Sequence, residues 1–194
     1  MWNVLLDELP KEWNGYPIDF DFQTGIQISQ CLADDDLSET ERFYTARDLL
    51  FPDTEHQPDV KESAKALEWF MSEFHHDNNT NQESGVTVMD FDIDQWRIYA
   101  AFMNQYHIDL NTAEMHWFTF MGLLSNLNEC AFTNVMNIRG KKITSKMSAE
   151  EKNAIRASKK VFEIKPPKEA PLSETEKKEV DEFMKYANIN KKEP

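Results

Sequence analysis

The sequence predicts a mainly α protein. We expect a compact multi-helix domain over residues 1–165, opened by a short β-hairpin or extended arm, then a linker and an amphipathic helical tail over 166–194. Three observations carry this. Glycine is scarce, five in 194 residues, while Glu, Lys, Met, Leu and Ala are plentiful, a composition that favours helix over sheet. Large apolar residues recur at spacings of three and four along most of the chain. Helix-start signals, a small polar residue with an acid three positions on, precede several of these segments.

The hairpin expectation comes from Asn14-Gly15, a two-residue turn pair, with Trp13, Tyr16 and Ile18 alternating around it. Pro17 confines any strand there to an edge. From Phe22 the period changes, and Ile26, Ile28, Cys31 and Leu32 mark a helix of about three turns ending at the Asp34-Asp35-Asp36 run. Acids at a helix C-terminus oppose its dipole, and no calcium-loop spacing follows, so that run reads as a solvated loop. Ser38 and Glu41 form a capping box for a second helix carrying Phe43, Tyr44, Ala46, Leu49 and Leu50, which must stop before Pro52. Val60, Ala64, Leu67, Phe70 and Met71 mark a third helix running to about His75. His75-His76 at its end complement the dipole, because adjacent histidines diverge by about 100° and no further ligand is spaced to join them in a metal site. A polar loop ending at Gly85 follows.

Met89 to Leu127 is the stretch around which the rest is organised. Asp90, Asp92 and Asp94 read as caps and first-turn acids of a helix. Ile93, Trp96, Ala100 and Met103 fall on one side of it, widened by Tyr99, Phe102 and Tyr106, so burial on two sides is expected. Asn111-Thr112-Ala113-Glu114 reads as the start of the next helix. Eight of the thirteen residues from Met115 to Leu127 are large and apolar, which places that helix at a domain centre or against a partner. Gly122 within it would let a neighbouring backbone approach. His116 beside Trp117 reads as a satisfied structural histidine, since a nucleophilic pairing with Cys130 has no independent sign in the sequence. Cys31 and Cys130 read as buried free thiols.

A short helix over Asn134–Ile138 ends at Arg139-Gly140. Ser148 to Glu151 then opens another running through Ile155, Lys159 and Phe162 to Pro166-Pro167. Ser173 to Glu176 opens the last, with Val180, Phe183, Met184 and Ala187 on one face that can pack on its own domain, on another subunit or in a partner's groove.

Charge narrows the function classes. Residues 1–136 hold 6 Lys and Arg against 25 Asp and Glu, a net of −19, and residues 137–194 hold 15 against 10, a net of +5. An acidic globule with a basic tail is not built to neutralise phosphates, so no nucleic-acid partner is expected. The basic tail segment is nearly free of aromatics for stacking; it reads as a solvated helix, with docking on the acidic part of the chain or on an acidic partner as the other readings. No basic, apolar leader opens the sequence and no apolar run approaches membrane-spanning length, so a cytoplasmic, soluble protein is expected. We expect no catalytic group, metal or cofactor. The residues thus describe a helical domain that binds a protein.

Three runs add a resemblance. Asp19-Phe20-Asp21-Phe22, Asp94 through Ile98-Tyr99-Ala100-Ala101-Phe102 to Tyr106-His107-Ile108-Asp109-Leu110, and Met115-His116-Trp117-Phe118-Thr119-Phe120 are similar to the bacteriophage gene-product-fifteen family over roughly residues 10–165. Phe118 stands where a second Trp is usual there, and His107 where glycine is common. The resemblance implies a tail assembly chaperone of a phage or prophage, working in the host cytoplasm. Its partners would be the tape-measure protein, kept soluble until the tube polymerises, and the tail-tube protein. It would be the shorter product where a frameshift makes two. A minor tail protein retained in the virion is the alternative. Because the recognisable runs read as core, the client surface is expected on flanking helices, with Phe162, Val180, Phe183 and Met184 as candidate partner-binding residues, and self-association through the last helix is open.

Overall fold

The N-termini of two helices are stapled together within the compact unit formed by the first 163 residues. The computed structural model describes residues 3–72 and 87–164. In order these form β1 (Glu12–Trp13), β2 (Tyr16–Pro17), α1 (Phe22–Ala33), α2 (Glu39–Leu50), α3 (Val60–Ser72), α4 (Gln95–Tyr106), α5 (Trp117–Ser125), α6 (Ala131–Gly140) and α7 (Ala149–Val161). The protein is mainly α with an N-terminal hairpin, as the composition and periodicity predict. Met1–Glu163 make one compact unit.

β1 and β2 pair antiparallel, Trp13 opposite Tyr16, across a turn in which Asn14 and Gly15 both take positive φ (50° and 86°). Those angles are what an Asn-Gly pair supplies cheaply. Among the described residues the hairpin forms a sheet with nothing else; it lies on helices through Trp13 against Trp69 (4.9 Å) and Tyr16 against Phe51 (6.4 Å).

The staple is a single antiparallel bridge. Phe22 N–H donates to the Met115 carbonyl (2.9 Å) and Trp117 N–H to the Phe20 carbonyl (2.8 Å), pairing Asp21 with His116. Each of those two residues also caps the helix that follows it. Asp21 Oδ1 accepts from Gln23 N–H (2.8 Å), and His116 Nδ1 accepts from Phe118 N–H (3.0 Å). The His116 ring stacks on Phe20 at 5.3 Å, and its Nε2 meets the Pro10 carbonyl at 2.8 Å. That pattern requires the neutral ring with its proton on Nε2. The helix expected to start at Asn111–Glu114 therefore starts at Trp117, because 115 and 116 must be extended to make the bridge.

α5 is the central helix, as its all-round apolar sequence predicts. Trp117, Phe118, Phe120, Met121 and Leu124 are buried. Phe120 stacks on Phe22 of α1 (5.0 Å) and Phe102 of α4 (5.2 Å), and Trp117 on Phe70 of α3 (6.2 Å). Each such ring contributes about 1.5–3 kcal/mol through burial. The Trp117 indole N–H donates to the Phe70 carbonyl (3.0 Å), so the most buried tryptophan leaves no unmet polar group.

Several finer expectations change. Gly122 has nothing within 4 Å of where a Cβ would be; the glycine that admits a close approach is Gly25 of α1, against the Trp117 ring. In α1, Leu32 is exposed while Thr24 and Gly25 are buried. In α3 the buried face is Ser63, Ala66, Leu67 and Phe70, with Val60 and Ala64 outward, because Ser63 can enter the core once its hydroxyl donates to the Pro58 carbonyl (3.1 Å). The boxes at Ser38/Glu41 and Ser148/Glu151 form as read, and α6 starts at Ala131, earlier than expected, because Thr133 Oγ1 accepts from Cys130 N–H (2.9 Å). Cys31 and Cys130 are free and half-buried, and burial, followed by Asp34, pushes the Cys31 thiol up.

α4 ends at His107, which holds φ 57° in the left-handed region. A glycine there avoids about 1–2 kcal/mol of steric cost but gives back part of it in unfolded-chain entropy. His107→Gly is accordingly expected to stabilise the protein by about 0.5 kcal/mol, read as a rise in the urea midpoint at unchanged m-value.

His116 makes stability depend on pH. Its pKa is lowered from 6.5, first by burial, with the Pro10 carbonyl opposing. The unfolded state therefore takes up the proton before the folded state does. The stability His116 contributes is present above pH 6.5 and is lost as pH falls from there through its folded pKa. Measured between about pH 7.5 and 5.5, the stability difference between wild type and His116→Asn, which keeps a capping acceptor, should shrink as pH drops.

Candidate protein-interaction site

A buried carboxylate sets the rotation of α4 and with it what this helix shows to solvent. Asp94, read from sequence with Asp90 and Asp92 as a cap or first-turn acid, stands at the N-cap position but makes no side-chain cap bond and is fully buried. Arg139 of α6 grips it through both terminal nitrogens (2.5 and 3.2 Å), and Arg97 adds a third donor at 2.8 Å. Asp90 N–H completes the shell at 3.2 Å. Arg139 is itself buried and spends its other contacts on the Val88 and Phe162 carbonyls (3.0 and 2.6 Å). Every charge and donor in the cluster thus finds a partner, the condition under which a buried ion pair is tolerated.

With Asp94 inward, the residues at helical spacing from it, Ile98, Ala101 and Phe102, form the core face of α4. The stripe assigned to the core from sequence turns outward instead. Trp96 is 73% exposed, Met103 39% exposed, and Ala100 is exposed. Burial of α4 on two sides is not what is found.

Beside this stripe an open groove of about 330 Å³ runs between α1 and α4. Phe120 and Ile98 form its floor, Ile26 and Leu110 its sides, and Phe91, Trp96 and Tyr99 its aromatic wall. Trp96 and Tyr99 meet edge to face at 5.8 Å. Among the described residues the groove's polar groups are Gln30, Asp92, Gln95 and Asn111, with Asp92 the one charged group. Asp92 accepts from Gln30 Nε2 (2.6 Å), and the Tyr99 hydroxyl donates to Asp109 (3.2 Å) just beyond the lip. Such a surface can seat apolar side chains and hold a cation at its edge.

Phe162, a partner-binding candidate from sequence, is half-buried: its carbonyl is held by Arg139 and its ring lies 6.0 Å from the Arg97 guanidinium. Val180, Phe183 and Met184 lie outside the described residues, as do His75 and His76. Trp96, Tyr99 and Met103 were read from sequence as core. The signal that would have corrected this is Arg139, a long cation in an apolar helix context, which called for a buried acid. His116 has both ring nitrogens occupied, by Phe118 N–H and the Pro10 carbonyl, which leaves none for Cys130. Among the described residues no group of three or more His, Cys, Asp or Glu is placed to hold a metal, and no helix is long and apolar enough to cross a membrane.

No curated protein and no solved structure matches the chain. The family model described as Bacteriophage Gp15 protein matches residues 5–164, a span that contains the hairpin, the stapled junction and all seven helices just described, and the chain belongs to that family.

Proposed function

We propose that this protein is a non-enzymatic tail assembly chaperone of a phage or prophage. In the host cytoplasm it binds the tape-measure protein and keeps it soluble until tail-tube subunits polymerise around it, with the tail-tube protein as its second partner. Family membership is the observation that carries this reading. The open aromatic groove supports it, because a chaperone for a long helical client needs an apolar surface that is accessible while the client is held. The charge of −19 over residues 1–136 supports it too, since like charge keeps sticky complexes apart.

Co-expression with a tape-measure protein of the same phage or prophage tests the proposal. The tape measure should become soluble and co-purify with the chaperone. An insoluble tape measure with no recoverable complex would sink the reading. Mass spectrometry of finished particles separates it from a minor tail component, which would remain in the virion while a chaperone would not.

A further inference from the structure

We propose that the groove between α1 and α4 is the seat of a basic amphipathic helix from another protein. A large apolar side chain of that helix would sit over Phe91 and Phe120, and its Lys or Arg residues would lie beside Asp92 and Asp109. This deepens the chaperone reading and rests on it only for why such a helix is encountered.

Three features of the groove select that occupant. First, its wall is exposed at Trp96 among the described residues. Trp96 leaves 73% of its surface in water although it is the residue type most often found at the energetic centre of interfaces. Tyr99 and Met103 continue the same side of α4 at positions three and seven residues on, matching the length of two helical turns. Second, the groove lies between two helices and offers no open strand, so the binding mode available is a helix laid into a groove. Third, the charge is one-sided. Among the described residues no Lys or Arg lines the groove, Asp92 is at its lip, and Asp109 sits behind the Tyr99 hydroxyl. With 25 acids against 6 bases over residues 1–136, the surrounding potential attracts a cationic helix and repels an acidic one.

Among the described residues, a second copy of this chain offers one basic helix, α7, whose central apolar residue, Ile155, is already buried in its own unit, which leaves Val161, 74% exposed, as the anchor. One terminal valine does not fill a groove walled by three aromatics.

The test uses the full chain and two synthetic 18-residue amphipathic helices with the same Leu and Phe positions, one carrying Lys on its polar face and the other Glu. The Lys peptide should bind, shift the tryptophan emission to the blue in wild type but not in Trp96→Ala, and weaken with added salt. Trp96→Ala should lower that affinity about 10- to 30-fold, the effect expected of an interface centre. Because Trp96 is mostly exposed, its thermal midpoint should not change. Asp92→Lys should weaken the Lys peptide and strengthen the Glu peptide. The inference is overturned if the Glu peptide binds wild type as well as the Lys peptide does, or if Trp96→Ala binds unchanged. It is also overturned if acrylamide cannot reach Trp96 in the free chain. Shielding that grows with concentration would identify a second copy in the groove, and shielding independent of it the chain's own residues. A tape measure kept soluble by Trp96→Ala removes the groove and leaves the chaperone. Peptide binding without tape-measure rescue does the reverse.

Discussion

Replacing Gly25 with alanine is expected to destabilise the protein by about 2 kcal/mol, the opposite of what helix propensity alone requires. In a helix interior alanine is favoured over glycine by about 1 kcal/mol. At Gly25, however, an added Cβ falls against the Trp117 ring, with Cγ at 2.9 Å and two further ring atoms closer still. The ring cannot yield cheaply. Its N–H is held by the Phe70 carbonyl, and its faces and edges are taken by Phe70, Phe91 and Phe120. Overpacking a fixed core costs about 1–3 kcal/mol, with the upper end expected where neither side can rotate away. Urea unfolding at constant m-value measures the net effect. A stabilised Gly25→Ala would mean that α1 and α5 can slide apart at little cost, contrary to the bridge between Phe20–Phe22 and Met115–Trp117.

Removing the Arg139 side chain should cost more, about 3–5 kcal/mol, because it leaves the fully buried Asp94 carboxylate with Arg97 as its remaining cation. Arg97 is a poorer partner: its side chain is 33% exposed and reaches the carboxylate through one nitrogen, at 2.8 Å. Arg139→Lys should recover little, since an ammonium cannot span both carboxylate oxygens while reaching the Val88 and Phe162 carbonyls. The paired change Asp94→Leu with Arg139→Met should restore much of the loss, because exchanging both charges for apolar groups of similar size removes the desolvation cost with the attraction. A double-mutant cycle by chemical denaturation supplies all four values. Hydrogen exchange in α6 and α7 should quicken in the single variant, since Arg139 ties α6 to both α4 and the end of α7. A loss below about 1 kcal/mol in Arg139→Ala would show that water reaches Asp94.

Local chemistry written in neighbouring residues was legible in the sequence. Asn14-Gly15 specifies its hairpin because those two residues take positive φ at least cost. Ser38 with Glu41 and Ser148 with Glu151 specify helix starts because each pair satisfies free amides within one turn. The run from Met115 to Leu127 is too apolar on every side to lie at a surface, and it is the central helix.

Choices between alternatives of similar local merit were settled only by contacts made at long range. α4 carries two apolar stripes, and nothing within it says which is inside. The side containing Asp94 goes in because Arg139, 45 residues later, supplies the charge that makes its burial affordable. That one pairing turns Trp96 and Met103 outward and opens the groove beside them, so the candidate site is a consequence of tertiary electrostatics and not of any motif. The start of α5 is likewise fixed by the bridge to residues 20–22, which overrides the capping signal at Asn111. Periodicity counts how many residues can be buried. It takes a buried partner, here a guanidinium against a carboxylate, to decide which side of the helix is buried.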